Sequence, residues 1–341
     1  MDSSLLLETI EMERIALTPP QKAGLADALY GLPSPYEDTE EFLLAIYPIF
    51  ARLPAEVLRK LFSFRIDPRA YGALILENFP TDDELPPSPS DGKRCLGKQS
   101  FASEACALGI AQILGHPIGY YDEKEGELIH NLCPVRSEAQ ATSSESSEVT
   151  LGFHTDFNYD KDNPGDPFNV VNPDYIVLAC LRADRKGEAG TLYADARDVC
   201  EHLTPAELGV MRSPQFQFAA SFSFTGRCGS ERIWSVPSPL LKGSDAFPEI
   251  SIDLLCGVKA MSAEAENVLT RIREVCEIPG VASKVNLKPG DVFLMDNRKG
   301  AHGRTAFGAE FDGRDRWLHR VYVRRSVWEM RRASNNALRV F

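Results

Sequence analysis

Hydrophobic positions along the chain change their spacing near residue 117. Before that point apolar residues recur mainly with helical spacing, and "TPPQKAGLADALYG" has Thr18 as a candidate N-cap followed by two prolines in the first turn. One apolar run, residues 70–79, predicts a strand, and the turn-rich stretch 80–93 predicts a surface loop. Residues 1–116 are therefore predicted to form a largely helical N-terminal region.

Short apolar runs bounded by turn residues follow, and they predict β-strands. They include "DYIVLACLR", "GTLYAD", "DVFLMDN" and "WLHRVYVRR". Two helices interrupt the strands, with predicted N-caps at Thr204 and Ser262. Many short strands with few helices favour a sandwich or jelly roll. We predict a single domain, 1–341, with a helical region at 1–116, a jelly-roll core at 117–341 and inserted lid segments at 157–172 and 221–243.

The composition is that of an acidic globular protein. The 341 residues carry a formal net charge of −12, which disfavours nucleic acid and anionic membranes as partners. The eight cysteines are scattered without a C-x-x-C pair, which is typical of free thiols in a reducing compartment. The opening "MDSSLLLETIEMER" has only a short apolar run. We therefore predict no signal peptide, no membrane span and a cytoplasmic location.

A candidate metal site begins in "LGFHTDFNY", where His154 and Asp156 are two residues apart. On a strand, such residues face the same side, and Thr155 between them faces the other. The motif alone is weak, because six histidines and 49 acidic residues in 341 produce about one such triplet by chance. Its weight depends on a third ligand elsewhere in the chain.

The stretch "KPGDVFLMDNRKGAHGRTAF" offers that third residue, His302, at the start of a predicted strand. Two imidazoles and one carboxylate on adjacent strands form the facial triad that is typical of non-haem Fe(II) oxygenases. Zinc hydrolases use the same donor types, but the chain has no H-E-x-x-H motif. A histidine at a strand edge is also often structural, so this site remains one of two interpretations at this point.

Arg316 favours the oxygenase interpretation. It lies 14 residues after His302, and an antiparallel return of that length would place its guanidinium beside the metal. A planar guanidinium binds a carboxylate through two parallel hydrogen bonds. The competing interpretation is a surface ion pair of Arg316 with Asp315 or Asp312, and the nearby arginines 314 and 320 are alternatives for the same role.

Three segments resemble a known family. "HTD", "DNRKGAHGRTAF" and "DGRDRWLHRVYVRR" resemble the clavaminate synthase-like family of Fe(II)/2-oxoglutarate oxygenases. Within it they are most similar to the amino-acid hydroxylases of peptide-antibiotic pathways, such as the viomycin-pathway arginine hydroxylase and asparagine oxygenase. The likeness is strong over 288–325, good from about 105 to 195, and thin before residue 100.

The resemblance implies a mainly β fold, a double-stranded β-helix or jelly roll with flanking helices. It further implies that His154, Asp156 and His302 bind Fe(II), and that Arg316 and Thr191 bind the distal carboxylate of the cosubstrate 2-oxoglutarate. O2 would then bind at the metal. The Asp156 side chain departs from the Glu that is usual in these hydroxylases and is one methylene shorter.

The same resemblance implies substrate contacts. Arg320 and Ser144 would hold the α-carboxylate of an amino acid, and Glu123 would contact its amine. Asp253 would face the far end of the side chain, but Leu255 stands where the arginine hydroxylase has a second aspartate. A cationic or hydrogen-bond-donating side chain is therefore expected, with arginine ranked no higher than lysine, ornithine or a derivative.

The expected activity is hydroxylation of an unactivated C–H, at Cβ or Cγ, of a free L-amino acid in secondary metabolism. Desaturation or cyclisation, or oxidation of a sulfonate, would use the same cofactors. A binding protein of a different class, with the β-helix but no catalysis, is the remaining alternative. The insertion after Asp156 is expected to form a rim or lid that carries Asp160 and Asp162, or else an acidic surface loop.

Overall fold

The computed structural model describes residues 12–121, 123–160, 163–220, 232–328 and 339–340. The helices within these ranges are α1 Pro19–Leu29, α2 Thr39–Phe50, α3 Ala55–Ile66, α4 Ala102–Leu114, α5 Ala196–Glu201, α6 Pro205–Met211 and α7 Ala263–Glu277. The strands are β1 Glu13–Ala16, β2 Ala73–Glu77, β3 His116–Tyr120, β4 His130–Leu132, β5 Leu151–His154, β6 Tyr175–Arg182, β7 Thr191–Asp195, β8 Phe216–Phe218, β9 Leu241–Ser244, β10 Phe247–Ile250, β11 Val258–Ala260, β12 Ala282–Val285, β13 Val292–Asp296, β14 Gly300–Arg304, β15 Trp317–Arg324 and β16 Arg339–Val340.

Side-chain caps begin the helices where the sequence predicts them. Thr18 and Thr204 each accept a hydrogen bond from the third helical residue and complete capping boxes with Gln21 and Glu207. Ser262 accepts from the backbone N–H of the third residue of α7. Such caps satisfy backbone donors that the first turn leaves without a partner, and they fix where each helix starts.

The larger sheet has the strand order β1-β2-β13-β6-β15-β3-β16, with β4 beside β15. Its central strand β6 is buried on both faces. Tyr175 and Val177 pack into the core under α1–α4, whereas Ile176 and Leu178 pack into the core on the opposite face. A strand that is covered on both sides has a continuous apolar sequence, which explains "YIVLAC".

The smaller sheet has the order β12-β7-β14-β5. Tyr193 and Val285 on its inner face share one core with Phe293 of the larger sheet. On its outer face, Ala194 and Ala301 pack with the apolar side of α7. Two facing sheets with helices on both outer sides form the predicted jelly roll with flanking helices, and the fold class is confirmed.

The helical N-terminal region is joined to the jelly roll by backbone pairing. β2 lies inside the larger sheet, parallel to β1 and antiparallel to β13. This continuity supports our interpretation of a single domain. Of the predicted lid 221–243, residues 221–231 lie outside the described residues.

The segment 157–172 is not a simple acidic surface loop. Asp160, Phe168, Asn169 and Asn172 are all buried, while Asp162 lies outside the described residues. The described cysteines are free thiols. No helix among the described residues has the length and apolar character needed to cross a membrane.

Candidate metal centre and active site

His154 and His302 lie on neighbouring antiparallel strands of the smaller sheet. β5 and β14 pair so that the two residues stand opposite each other, and their ring centroids are 4.3 Å apart. Ala301 packs into the core behind the sheet, so strand alternation turns His302 towards the interior. The structure thus brings both candidate histidines together.

Asp156, two residues beyond β5, completes a compact cluster. Its Oδ1 atom is 3.6 Å from Nε2 of His154, and its Oδ2 atom is 3.8 Å from Nε2 of His302. One donor atom of each residue lies within 4.8 Å of the others, and no second group of His, Cys, Asp or Glu of this kind occurs among the described residues. Two imidazoles and a carboxylate are the donor set of mononuclear Fe(II) oxygenases.

The donor atoms fit a divalent cation. Nδ1 of His154 donates to the carbonyl oxygen of Gly152 at 2.8 Å, which leaves Nε2 as the lone-pair atom that faces Asp156. In the described ranges of the chain, Oδ2 of Asp156, the atom that faces Nε2 of His302, is buried without a hydrogen-bond partner. Buried polar atoms without partners are rare unless a ligand or ion satisfies them.

The charge states suit metal binding as well. Burial, reinforced by His154, lowers the pKa of His302 to about 3, so the imidazole is neutral. Burial alone would raise the pKa of Asp156, but its neighbours, among them the Arg320 guanidinium and the Tyr322 hydroxyl, outweigh burial and hold this pKa below its ordinary value. The cluster therefore presents a neutral His302 imidazole and an anionic Asp156 carboxylate to a cation.

Two asparagines hold the backbone of Asp156 in place. Asn297 accepts from the Asp156 N–H at 2.9 Å and donates to its carbonyl oxygen at 3.1 Å, and Asn172 donates to the same oxygen at 3.0 Å.

Phe157, the residue after Asp156, has a left-handed φ of 58°. The hydroxyl of Thr155 turns away and bonds to the carbonyl of Ile252 at 3.2 Å. Both asparagines escaped the sequence analysis, although Asn297 stands in the predicted turn after β13.

A cavity of about 60 Å³ adjoins the metal cluster and is lined by His154, His302, Thr191 and Arg316. The guanidinium of Arg316 donates to the Thr191 hydroxyl at 3.2 Å. Thr191 begins β7 of the smaller sheet, whereas Arg316 immediately precedes β15 of the larger one. The expected antiparallel return from His302 is therefore wrong: Arg316 reaches the cavity from the opposite sheet.

The surface ion pairs proposed as alternatives for Arg316 do not form. Asp312 pairs with Arg185 at 3.0 Å, and Asp315 accepts from two backbone N–H groups in its own loop. No carboxylate of the described residues lies within ion-pairing distance of Arg316, which is only 7% exposed. Burial lowers its pKa. A buried cation without a carboxylate partner is stabilised when an anionic ligand binds beside it.

A larger cleft of about 840 Å³ opens on the other side of the cluster. His154, Asp156 and Arg320 lie in its wall, and it shares His154, Ser144 and Arg320 with the small cavity. The metal cluster therefore borders both a small cationic cavity and a large mixed-charge cleft. This arrangement would place a cosubstrate and a substrate on two sides of one ion.

Arg320 and Glu123 pair with each other in the cleft wall. Nη2 of Arg320 donates to Oε1 of Glu123 at 2.6 Å and to Nδ1 of His130 at 2.9 Å. Because a guanidinium only donates and the Glu127 carbonyl only accepts, His130 carries its proton on Nε2, 3.0 Å from that carbonyl. Oε2 of Glu123 is buried without a partner among the described residues.

Tyr322 is a cleft residue that the sequence analysis missed. Its ring lies 4.4 Å under the guanidinium carbon of Arg320, and its hydroxyl helps lower the pKa of Asp156. Tyr322 lies two residues after Arg320 on β15. Residues two apart on a strand face the same side, so both side chains point to the same interior face. The two-residue spacing from Arg320 on a predicted strand could have indicated Tyr322 from the sequence.

Ser144 and Asp253 also line the cleft. Asp253 pairs with His154 in an antiparallel bridge, and its Oδ1 accepts from the backbone N–H groups of Leu255 and Cys256 at 3.0 and 3.2 Å. The described residues offer no hydrogen-bond partner to its other oxygen, Oδ2. Leu255 lines the cleft where a second acid was considered.

Comparison with known proteins agrees with this arrangement. The family model "Taurine catabolism dioxygenase TauD, TfdA family" matches residues 248–322. The chain is 30% identical to clavaminate synthase 2 of Streptomyces clavuligerus, over 85% of each chain. It is 31% identical to L-asparagine oxygenase of Streptomyces coelicolor over 84% of this chain and 81% of that protein.

The chain belongs to the clavaminate synthase-like family of Fe(II)/2-oxoglutarate oxygenases. It is also 31% identical to L-lysine 3-hydroxylase of Catenulispora acidiphila, over 80% of this chain and 73% of that protein. The crystal structure of asparagine oxygenase with Fe(II), 2S,3S-3-hydroxyasparagine and succinate superposes with a TM-score of 0.82 at 27% identity, covering 96% of this chain and 98% of that one.

Membership of the family defines the enzyme class. This protein is an Fe(II)- and 2-oxoglutarate-dependent oxygenase, and its cofactors are Fe(II), 2-oxoglutarate and O2. The His-Asp-His cluster offers such an ion a complete protein donor set. The catalytically inactive binding protein is thereby excluded.

Proposed function

We propose that this oxygenase hydroxylates Cβ or Cγ of a free L-amino acid with a basic side chain, namely lysine, ornithine, arginine or a derivative. The observation that carries the proposal is the Asp253 carboxylate, fixed in the cleft wall beside His154 with one oxygen left for a ligand. Two backbone N–H groups orient this carboxylate, and a charge-assisted hydrogen bond to a cationic side chain would use the oxygen that remains.

In this proposal His154, Asp156 and His302 hold the iron, and Arg316 with Thr191 binds the distal carboxylate of 2-oxoglutarate. Iron with 2-oxoglutarate and O2 supplies an oxidant strong enough to remove hydrogen from an unactivated C–H bond. The protein contributes binding and orientation. The Thr191 hydroxyl and the planar guanidinium of Arg316 together offer a carboxylate donors from two directions.

The α-amino acid end would meet Arg320, Ser144 and Glu123. Arg320 would donate to the α-carboxylate, and so would Ser144, which lines the same cleft wall. The unpartnered Oε2 atom of Glu123 would accept from the α-ammonium group. An amino acid held at this end and at Asp253 would pass beside the metal cluster, because Asp253 pairs with His154 and all of these residues line one cleft.

A second candidate substrate is an amide amino acid, asparagine or glutamine. Arg232 lines the same cleft, and its Nη2 lies 3.6 Å from Sγ of Cys256, next to the loop that carries Asp253. A side-chain amide would contact both residues, because its NH2 group can donate to the Asp253 carboxylate and its oxygen can accept from the Arg232 guanidinium. A basic side chain would use Asp253 alone.

The names of relatives support both candidates. L-lysine 3-hydroxylase and L-ornithine/L-arginine 3-hydroxylase, both of Catenulispora acidiphila, are basic amino-acid enzymes; the latter is 27% identical over 93% of this chain and 95% of that protein. L-asparagine oxygenase supports the amide candidate. The basic candidate is preferred because a cationic side chain adds the attraction of opposite charges to its hydrogen bond with the Asp253 carboxylate, which a neutral amide does not.

Substrate-dependent succinate release tests the proposal. The purified enzyme with Fe(II) and 2-oxoglutarate would be offered each proteinogenic L-amino acid and ornithine, with succinate measured for each. We expect the largest stimulation from lysine, ornithine or arginine, and none from their decarboxylated amines. Strongest stimulation by leucine or glutamate would contradict the assignment of Asp253, and strongest stimulation by asparagine would favour the second candidate.

A further inference from the structure

Three loops meet at one ion pair beside the large cleft. The ammonium group of Lys124 contacts the Glu145 carboxylate and also donates to the carbonyl oxygen of Gly92 at 3.3 Å. The side chains of Lys124 and Glu145 are 25% and 8% exposed, and both residues line the cleft. We call Gly92, Lys124 and Glu145 the clasp.

Gly92 packs directly against both charged side chains of the clasp. Gly92 has φ +64°, and a Cβ atom there would lie 2.1 Å from Oε1 of Glu145 and 3.3 Å from Nζ of Lys124. Only glycine combines that backbone conformation with that approach. The Gly92 loop is anchored further along, where its Lys93 carbonyl accepts from Asn131 at 2.9 Å.

The turn that carries Lys124 is strained. Lys124 and Glu125 have φ values of 50° and 58°, and both are ordinary residues in the left-handed region. Such residues are strained and persist only where their surroundings hold them in place. On its far side, the turn is packed against β3 so tightly that a Cβ atom at Gly119 would lie 2.3 Å from the Gly126 carbonyl oxygen.

The clasp stands next to both residues proposed for the amino-acid backbone. Glu123 precedes Lys124, and Ser144 precedes Glu145. Lys124 and Glu145 neutralise each other, whereas Glu123 keeps a buried oxygen without a partner among the described residues. The clasp residues are therefore placed to orient the substrate contacts, with their own charges already satisfied.

We propose that Lys124 and Glu145 are positioning residues that hold the strained 123–127 turn and the 138–149 loop together, so that Glu123 and Ser144 face the substrate as one preformed site. The substrate side of this proposal rests on the proposed function of this cleft. Loss of either charge would release the strain of the turn and separate the two contacts. Amino-acid binding would weaken, while the 2-oxoglutarate cavity around Arg316 would be unaffected.

Hydrogen exchange of the full-length enzyme without substrate tests the loop contact directly. Lys124→Met and Glu145→Gln should raise amide exchange in 123–127 and 138–149 while β13 and β14 keep wild-type exchange. The conservative Lys124→Arg and the reversed pair Lys124→Glu/Glu145→Lys should restore low exchange in both loops. Lys60→Met removes a remote, half-exposed pair with Glu13 and should change neither loop.

Kinetics with the best amino acid from the succinate screen test the functional role of the clasp. Each single variant should raise KM for that amino acid about tenfold, the effect of losing roughly 1.4 kcal/mol, with KM for 2-oxoglutarate unchanged. The reversed pair should recover most of the affinity. Equal rises in both KM values would overturn the positioning role.

The two proposals fail separately. If no amino acid stimulates succinate release, the proposed substrate class fails, and the exchange experiment still tests the clasp. Wild-type exchange in both loops of Lys124→Met and Glu145→Gln would refute the clasp and leave the substrate assignment standing. Increased exchange throughout the molecule would also refute it, because the pair would then be a general stabilising contact.

Discussion

The Arg316 guanidinium donates a 3.2 Å hydrogen bond to the hydroxyl of Thr191 across the two sheets of the jelly roll. Both residues line the small cavity together with His154 and His302. One carboxylate of a dicarboxylate such as 2-oxoglutarate would accept hydrogen bonds from Arg316 and Thr191. Its other end would bind the cation that the two histidines hold with Asp156.

Arg316→Lys tests the cosubstrate assignment. Lysine keeps the charge but loses the two-pronged geometry, so KM for 2-oxoglutarate should rise about ten- to hundredfold with a smaller effect on the amino acid. Arg314→Lys, at an exposed neighbouring arginine, is the matched control and should behave as wild type. If Arg320→Ala selectively impairs 2-oxoglutarate binding and Arg316→Lys does not, the two arginines are assigned in the wrong order.

Metal affinity tests the His-Asp-His cluster without any turnover. In anaerobic titration with Fe(II), His154→Ala and His302→Ala should each lose tight binding, because each removes a neutral nitrogen donor from a three-residue set. His116→Ala changes an exposed histidine and should bind as wild type. Unchanged affinity in either cluster variant would show that the ion binds elsewhere.

Asp253→Asn tests the recognition of a basic side chain. The amide oxygen can still accept from Leu255 and Cys256, but the charge is lost. A hydrogen bond to a charged group contributes about 1.5–3 kcal/mol, so KM for lysine or ornithine should rise roughly ten- to hundredfold. An aliphatic amino-acid substrate should be nearly indifferent, and an unchanged KM for a basic substrate would remove Asp253 from the site.

A buried ion cluster beside the larger sheet should contribute more to the free energy of unfolding than an exposed ion pair does. Lys98 pairs with Asp82 and Glu104, and the three side chains are at most 1% exposed. Lys98→Met would leave two buried carboxylates without their cation and should lower the free energy of unfolding by about 3–5 kcal/mol in urea titration. Lys60→Met, at an exposed pair, should change it by less than about 1 kcal/mol. Similar losses in both variants would contradict this account.

The same cluster predicts acid sensitivity. Burial opposes ionisation of Glu104, but His319 and Lys98 outweigh it and lower its pKa from 4.5 to about 2. A depressed folded-state pKa stabilises the protein above the unfolded value, and this stabilisation is lost as the pH falls through the folded one. The free energy of unfolding should therefore decline between pH 4.5 and about 2. Glu104→Gln should flatten that decline, and a parallel decline in both proteins would contradict the assignment.

Local signals in the sequence predicted the elements that depend on local physics. Thr18 and Thr204 cap helices because their partners lie three residues away. β6 is visible as an apolar run because both of its faces are buried. β9, with the polar sequence "LKGS", has no such pattern and is defined by its pairing with β10.

The residues of the site likewise fall into those that local sequence patterns predict and those that only the fold brings together. His154, Asp156 and His302 were visible as motif residues, and strand alternation placed Thr155 on the other side. Asn297, by contrast, bonds to Asp156 across 141 positions of sequence, and Lys124 bonds to Glu145 across 21. Contacts of that kind depend on which loops the fold brings together, and no spacing rule within one segment predicts them.

Turnover of L-lysine, L-ornithine and L-arginine under ¹⁸O2, with mass spectrometry of both products, tests the central claim most directly. The account predicts that at least one of them gains a single labelled oxygen while succinate gains another, in equal amounts, and that His302→Ala abolishes both products. Succinate formed at the same rate with and without every amino acid, or an amino-acid product whose new oxygen comes from water, would contradict it.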